Sequence, residues 1–424
     1  NKNNINKNNL NKDNFKKANT EKNMIFDFNL PTAIYLHVPF CEGKCRYCSF
    51  YSENSSNKMT KKYIEALEKE IIRYGRLIKT NSNLKNNEKI PLSTIYIGGG
   101  TPSILKPAQI NKIIILLKKY FSEPFYTEIT IEANPHSLNR GKLESYREMG
   151  INRLSLGVQS FNEQELIFLG RKHNAREALE KIKLAREYFT NLNIDLIFAI
   201  PGQTITSWRE NLYKAISIEP EHISLYNLQI EEGTALAKEL KNGKIEKVDD
   251  SLDAQMYLAA KKLLSEKKYN HYEISNFARP SYQSRHNKIY WKLEPYLGLG
   301  PAAHSFTGKI RYQNYANIEK YCEYLLNEKS KKIENAYVNN LAITELQLLN
   351  KKDLMAEKIF MGMRLLEGVS INDFNIEFNT NLMSVYQKEI EKLTKLTLIE
   401  IDNGHLKLSE QGLLHGNRVF MEFL

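Results

Sequence analysis

Residues 33–50 read AIYLHVPFCEGKCRYCSF. The first six are apolar or β-branched in the manner of a short buried strand, and Pro39 ends the run. Cys41, Cys45 and Cys48 then fall within eight residues of one another, just past that strand. Four-iron clusters usually take four protein thiolates. Three leave one iron with an exchangeable position, which is what a small chelating ligand needs. A structural zinc site wants four ligands, typically in two close pairs. His37 or Cys322 would have to complete such a site, and neither sits at a paired spacing. Four cysteines in 424 residues are no disulfide framework, and their clustering indicates a metal site in a reducing, cytoplasmic compartment. Cys322, in the helical stretch NIEKYCEYLL, reads as a small buried hydrophobe.

Outward from this motif, strands and helices alternate. Short β-branched runs occur at 33–38, 94–97, 128–132, 153–158, 194–199 and 222–227, and helix-period stretches follow the first five at about 59–79, 107–120, 138–149, 162–188 and 206–217. Six strands with helical crossovers predict an α/β fold with a parallel sheet. A partial, three-quarter TIM-like (β/α)6 barrel fits the count, with a doubly wound open sheet as the alternative. The barrel core is assigned to residues 24–232, a Tyr-rich connector to 233–337 and a smaller, mostly helical, winged-helix-like domain to 338–424. That last domain carries a hairpin signal at Asn403-Gly404. Residues 1–23 hold ten Asn and almost nothing apolar, too little to build a core. Met24 is the expected true start.

Polar residues recur at the ends of successive strands, where barrels of this kind collect their chemistry. They are Gly98-Gly99-Gly100-Thr101 after the second strand, Glu132 ending the third and Gln159 ending the fourth. Arg171 lies twelve residues after Gln159, and Asp195 lies in the fifth strand. Any one of these reads as a turn or surface residue; their recurrence points to a shared pocket. Tyr35, taken alone, reads as core.

CxxxCxxC with an aromatic, Tyr47, before the third Cys resembles the signature of the radical S-adenosylmethionine (SAM) superfamily. YLHVPFC, IYIGGGTPS, IEANP, GVQSF, LGR and IDLIFAIPGQ are similar to the oxygen-independent coproporphyrinogen III oxidase family. The resemblance implies a [4Fe-4S] cluster on Cys41, Cys45 and Cys48. It also implies SAM contacts from Tyr35, Tyr47, Gly99, Gly100, Thr101, Glu132, Gln159, Arg171 and Asp195. The decarboxylase carries a further cysteine two positions after the third, where this chain has Phe50. That departure, and the string His286-Asn-Lys-Ile-Tyr290-Trp291, resemble the paralogous heme chaperone branch, HemW. There the resemblance implies that His286 is a heme-iron ligand, with His304 as a weaker second candidate. Read by itself, His286 equally suits a turn cap in an aromatic-rich core.

The expected function is therefore a heme chaperone that passes heme to an acceptor protein, such as a respiratory membrane protein. An electron donor such as flavodoxin or ferredoxin would serve its cluster. The alternative is the decarboxylase itself, and a radical enzyme with an unrelated substrate is a third possibility. The net charge is +11, of which +4 sits in the first 23 residues. No aromatic-interleaved basic patch accompanies it, so nucleic acid is not an expected partner. No apolar run is long enough to span a membrane.

Overall fold

The computed structural model describes residues 30–82, 85, 88–122, 127–327 and 341–424. The expectations for residues 1–23 and Met24 lie outside the described residues. The six predicted strands form as β1 (Ala33–Val38), β2 (Thr94–Gly99), β3 (Glu128–Ala133), β4 (Arg153–Gln159), β5 (Leu192–Phe198) and β6 (His222–Asn227). They pair in parallel and in chain order, β1 to β6. A doubly wound sheet reverses its order at a switch point; this one does not, so the barrel-type alternative holds.

The connector extends the same sheet at both edges. At one edge β7 (Asn270–Glu273) and β8 (Asn276–Ala278) add antiparallel strands to β6. At the other, β9 (Tyr296–Leu299) pairs in parallel with β1, followed by antiparallel β10 (His304–Phe306), β11 (Ile310–Asn314) and β12 (Ile343–Leu348). The result is one mixed sheet of twelve strands among the described residues. Residues assigned to a connector thus build sheet, and β12 belongs by sequence to the stretch assigned to the C-terminal domain.

Alternation explains the curl. The outward positions, such as Ile95, Ile97, Ile129, Ile131, Leu154 and Leu156, are buried under the crossover helices α1 (Asn57–Asn81), α2 (Pro107–Tyr120), α3 (Arg140–Glu148), α4 (Glu163–Leu169), α5 (Ala175–Arg186) and α6 (Ile205–Ser217). Helix α2 shows the matching stripe, with Ile110, Ile113, Ile114 and Leu117 all buried at the i, i+3, i+4, i+7 spacing of one helix face. The inward positions are polar: Thr94 and Tyr96, Thr130 and Glu132, Arg153 and Ser155, Asn193 and Asp195. All-parallel strands packed on both faces are usually apolar throughout. Here one face lines a lumen instead.

The predicted helix at 162–188 is two helices. Gly170, at φ 72°, ends α4 in the left-handed region, and Asn174 caps α5 by accepting from Glu177 N. The break turns residues 171–173 toward the strand ends.

The C-terminal residues gather a second apolar core around Phe374, Leu382, Leu393, Leu406 and Val419. Its three-stranded sheet contains the predicted hairpin, Ile399–Asp402 against His405–Leu408, turning on Asn403 and Gly404, both at positive φ. Phe374 is fully buried beside Phe378. Phe374→Ala is expected to destabilise this unit by about 3–5 kcal/mol. Calorimetry should show a lowered C-terminal transition with the barrel transition in place; a single transition falling as a whole would show the two cores to be inseparable.

Candidate cofactor site

The cysteine loop is closed at its base. Phe40–Cys41 pairs with Glu53–Asn54, and Glu53 N donates to Pro39 O at 2.8 Å. Phe40 is fully buried edge-on to Tyr63, which anchors the first cysteine. Cys48 N donates to Cys45 O at 3.2 Å, a tight turn that brings the second and third together. Arg46 clamps the loop to α4: its guanidinium donates to Phe168 O at 2.7 Å, pairs with Glu239 and lies 4.8 Å from the Phe168 ring centre. Tyr47 packs on Leu169, Ile197 and Ile200.

All three cysteines are free and half-buried, and all three line one cavity of about 440 Å³. Burial pushes the Cys48 thiol up, and Cys45 and Cys41 beside it add to the shift. Three thiols crowded this way favour a cationic occupant that stabilises them as thiolates. Among the described residues no group of three or more His, Cys, Asp or Glu side chains is placed to hold a single metal ion. Three thiols on the wall of one cavity of this size leave room for a multi-atom cluster.

The same cavity is lined by Tyr47, Gly99, Gly100, Thr101, Glu132, Gln159, Arg171 and Asp195, so the strand-end residues singled out by sequence do converge. The glycines are there because backbone meets backbone. A Cβ on Gly100 would lie 2.5 Å from Phe40 O and 3.1 Å from Cys41 Sγ. Thr101 N donates to Phe40 O at 2.7 Å, and its hydroxyl lies 3.5 Å from Cys41 Sγ.

Glu132 accepts from Tyr96 OH at 2.7 Å and from Gly99 N at 3.2 Å. Burial pushes its carboxyl up to about 7, and Asp195 reinforces the shift while those two donors oppose it. Burial also raises Asp195, which accepts from Asn193 Nδ2 at 2.7 Å and Ser155 OH at 3.3 Å. Gln159 is held at φ 71° where the β4–β5 register shifts. A bulge with a left-handed non-glycine residue is strain typical of ligand sites. Arg171 donates to Cys45 Sγ at 3.3 Å, Asn134 Oδ1 at 2.6 Å and Gly157 O at 2.7 Å. Its Nε is buried with no hydrogen-bond partner. Burial alone would lower this guanidinium, but Tyr47 and Cys45 keep it charged. An orphaned N–H, two raised carboxyls and a glycine shelf beside three thiols fit an iron–sulfur cluster with a zwitterionic ligand.

Two predicted residues lie elsewhere. Tyr35 sits one layer below the cavity, its hydroxyl 3.0 Å from His37 Nδ1 and its ring stacked on Tyr96. His286 sits at the barrel floor on helix α7 (Arg285–Trp291) and is 1% exposed. Its Nδ1 is 2.7 Å from Thr94 Oγ1, its Nε2 is 2.9 Å from Tyr290 OH, and its ring stacks on Tyr96. Both nitrogens are therefore engaged, in the aromatic surroundings of the alternative reading. Burial, with Arg153 adding to it, pushes this imidazole down to about 3, so it is neutral. His304 is exposed at the start of β10. Phe50, 66% exposed, stands at the cavity wall.

Sequence reasoning missed Tyr96, Asn134, Arg153 and Tyr226. Asn134 and Tyr226 line the cavity; buried Arg153 is the cation that offsets Glu132 and Asp195. Strand parity was the available signal: Tyr96 shares the inward face with Gly98, and Arg153 shares it with Ser155 and Gly157.

The Radical SAM superfamily pattern matches residues 35–213, and the HemN C-terminal domain pattern matches 349–415. Heme chaperone HemW of Lactococcus lactis subsp. lactis is 31% identical over 395 residues, 93% of this chain and 97% of that protein. Heme chaperone HemW of Bacillus subtilis is 32% identical, covering 92% and 98%. Radical S-adenosyl methionine domain-containing protein 1, mitochondrial, of Danio rerio is 31% identical, covering 90% and 84%. Coproporphyrinogen III oxidase (HemN) from Escherichia coli, a radical SAM enzyme of solved structure, superposes with a TM-score of 0.77 over 93% of this chain and 90% of that one, at 22% identity. At that identity the likeness is one of fold. Among the described residues no helix is long and apolar enough to cross a membrane.

Replacing Cys41, Cys45 or Cys48 by Ala is expected to abolish the cluster, read as loss of bound iron and of the brown chromophore; normal iron in any variant refutes the ligand set. A second expectation concerns pH. Glu132 is raised in the fold, so the stability it contributes is complete below its unfolded value near 4.5 and is lost as pH rises through about 7. Glu132→Gln should flatten the apo protein's decline in stability across that window. An unchanged slope in denaturant titrations would show that Glu132 is not buried as described.

Proposed function

This chain belongs to the HemW family of radical SAM proteins, and on that footing we propose that it is a heme chaperone, binding heme and transferring it to an acceptor protein. The carrying observation is likeness to chaperones named as such over more than nine tenths of this chain and of theirs. Likeness to the decarboxylase is one of fold alone, and the position two after the third cysteine is Phe50, so the decarboxylase reading gains nothing further.

In this reading Cys41, Cys45 and Cys48 hold a [4Fe-4S] cluster. Tyr47, Gly99, Gly100, Thr101, Glu132, Gln159, Arg171 and Asp195 hold SAM, with Tyr35 supporting them from the layer below. When bound, cluster and SAM together supply one-electron chemistry. The chain's part is to bind and to orient. Arg171 offers its free N–H to a carboxylate while steadying Cys45. Glu132 and Asp195 accept from ligand amine or hydroxyl groups. The Gly99–Gly100 backbone admits the ligand against the cysteine loop. An electron donor such as flavodoxin or ferredoxin would approach over the exposed Glu42–Lys44 segment, in a reducing cytoplasmic compartment.

His286 is the proposed iron ligand. Imidazole is a common axial ligand of heme iron, and burial keeps this one neutral and so able to ligate. To do so it must give up its bond to Thr94 or to Tyr290, and a path from solvent must open to it, so heme binding should be slow.

Hemin titrated into cluster-reconstituted protein should give a saturable Soret band at one heme per chain. His286→Ala should weaken it by roughly tenfold or more, the scale of a lost metal-site residue. Coproporphyrinogen III with reductant and SAM should give no divinyl product. Sustained decarboxylation over many turnovers would overturn the chaperone reading, and unchanged hemin affinity in His286→Ala would remove this ligand.

A further inference from the structure

Two of the three cysteine sulfurs face a side-chain donor, and both donors lead back to Asn134. Arg171 donates to Cys45 Sγ at 3.3 Å, and its other terminal nitrogen donates to Asn134 Oδ1 at 2.6 Å. Asn134 Nδ2 donates in turn to Thr101 Oγ1 at 3.0 Å, and that oxygen lies 3.5 Å from Cys41 Sγ. Cys48 takes its hydrogen bond from the Phe50 backbone. Asn134 follows β3 and precedes Pro135, which confines it to extended backbone, φ −98° and ψ 143°. Its N–H donates to Ser103 Oγ at 3.4 Å, and its carbonyl accepts from Ser137 OH at 2.8 Å. Lys142 Nζ ties those two serines together, donating to their carbonyls at 2.6 and 2.7 Å. Gly157 gives the amide room: a Cβ there would lie 3.2 Å from Asn134 Oδ1.

The order of donors fixes each proton in this chain. A guanidinium has donors only, so Asn134 turns its oxygen to Arg171 and its NH2 to Thr101. Thr101 Oγ1 then accepts, and its one hydroxyl proton is left for Cys41 Sγ. Resting on the reading above that Cys41, Cys45 and Cys48 hold a [4Fe-4S] cluster, we propose that Asn134 is a positioning residue that raises the cluster's reduction potential by aiming the Arg171 and Thr101 donors at two of the three thiolates. Hydrogen bonds to the sulfurs are among the protein's levers on such a potential. A one-electron reduction adds negative charge that spreads onto the sulfurs, and hydrogen bonds to an anionic acceptor are the strong ones. Donors held on the thiolates therefore stabilise the reduced cluster more than the oxidised one. The donor set needs no ligand in the cavity, because every member of the chain belongs to the protein.

The test is an anaerobic redox titration of full-length, cluster-reconstituted protein without SAM, with the reduced cluster read by electron paramagnetic resonance and iron counted per chain. Asn134→Ala removes both links. It should keep its iron and shift the reduction equilibrium roughly tenfold toward the oxidised form, a midpoint about 59 mV lower for one electron. Thr101→Val removes the hydroxyl at nearly constant volume and should lower the midpoint too, whereas Thr101→Ser keeps the hydroxyl and should stay at the wild-type value. The Asn134→Ala/Thr101→Val double variant should fall by less than the sum of the two single shifts, because Asn134 acts partly through Thr101. Wild-type midpoints in both Asn134→Ala and Thr101→Val would overturn the proposal. So would Thr101→Ser shifting as far as Thr101→Val, which would assign the effect to packing, or single shifts that add in full. If Asn134→Ala does not hold iron, the comparison of Thr101→Val with Thr101→Ser still decides. A wild type that holds no cluster at all would instead strike the ligand assignment, and this inference with it.

Discussion

Everything in this molecule depends on six parallel strands that are apolar on one face and polar on the other. The apolar face is covered by α1 to α6 in the ordinary way, and hydrophobic burial fixes that side. The inner face carries Thr130, Glu132, Arg153, Asn193, Asp195 and His222, which cannot be left against a dry core unpaired. Curling the sheet solves this, since the inward groups satisfy one another across the lumen. Asn193 lies between Ser155, Asp195 and His222, and Tyr96 reaches Glu132. The exceptions are informative. Thr130 Oγ1 and Arg153 Nε, neighbours across the β3–β4 register, are buried with no hydrogen-bond partner, as is Arg171 Nε higher up. A lumen with spare donors near three carboxyls is built to hold something polar.

Much of this was legible in the sequence, for a physical reason. The six strands were found to within about two residues because each is a short β-branched run and the first five are followed by a helix-period crossover, both local signals. The strand-end residues were found because barrel chemistry collects there, the cysteines because of their spacing, and all but Tyr35 and His286 of the predicted set line one cavity. What was missed depends on distance along the chain. β9 is four residues long and takes its place by pairing with β1, more than 250 residues away; so short a run has no period to read. The break at Gly170 was hidden because a lone glycine inside a helical pattern is commonly tolerated. Asn174, four residues on, was the overlooked cap.

His286 shows why a motif and a location are different kinds of information. The string HNKIYW looks like a ligand signature, yet each of its aromatic members has a structural task. His286 and Tyr290, four apart on one helix face, bond to each other and fill the floor. Trp291 faces the other way: the Arg364 guanidinium lies 5.1 Å from its ring centre and 4.9 Å from that of Phe420. Arg364 and Phe420 belong to the C-terminal part of the chain. One seven-residue helix therefore touches the barrel lumen on one side and the C-terminal core on the other.

That placement gives the heme reading a mechanical content that the sequence could not. Short helices have little stability of their own, so α7 holds its position through its contacts: Glu128 at its amino end, Thr94 and Tyr96 on His286, and Arg364 on Trp291. They come from β3, from β2 and from the C-terminal part of the chain, and one of them, Tyr96, reaches the carboxylate that faces the cofactor cavity. Moving α7 far enough to free an imidazole nitrogen therefore disturbs the cofactor floor and the C-terminal interface together.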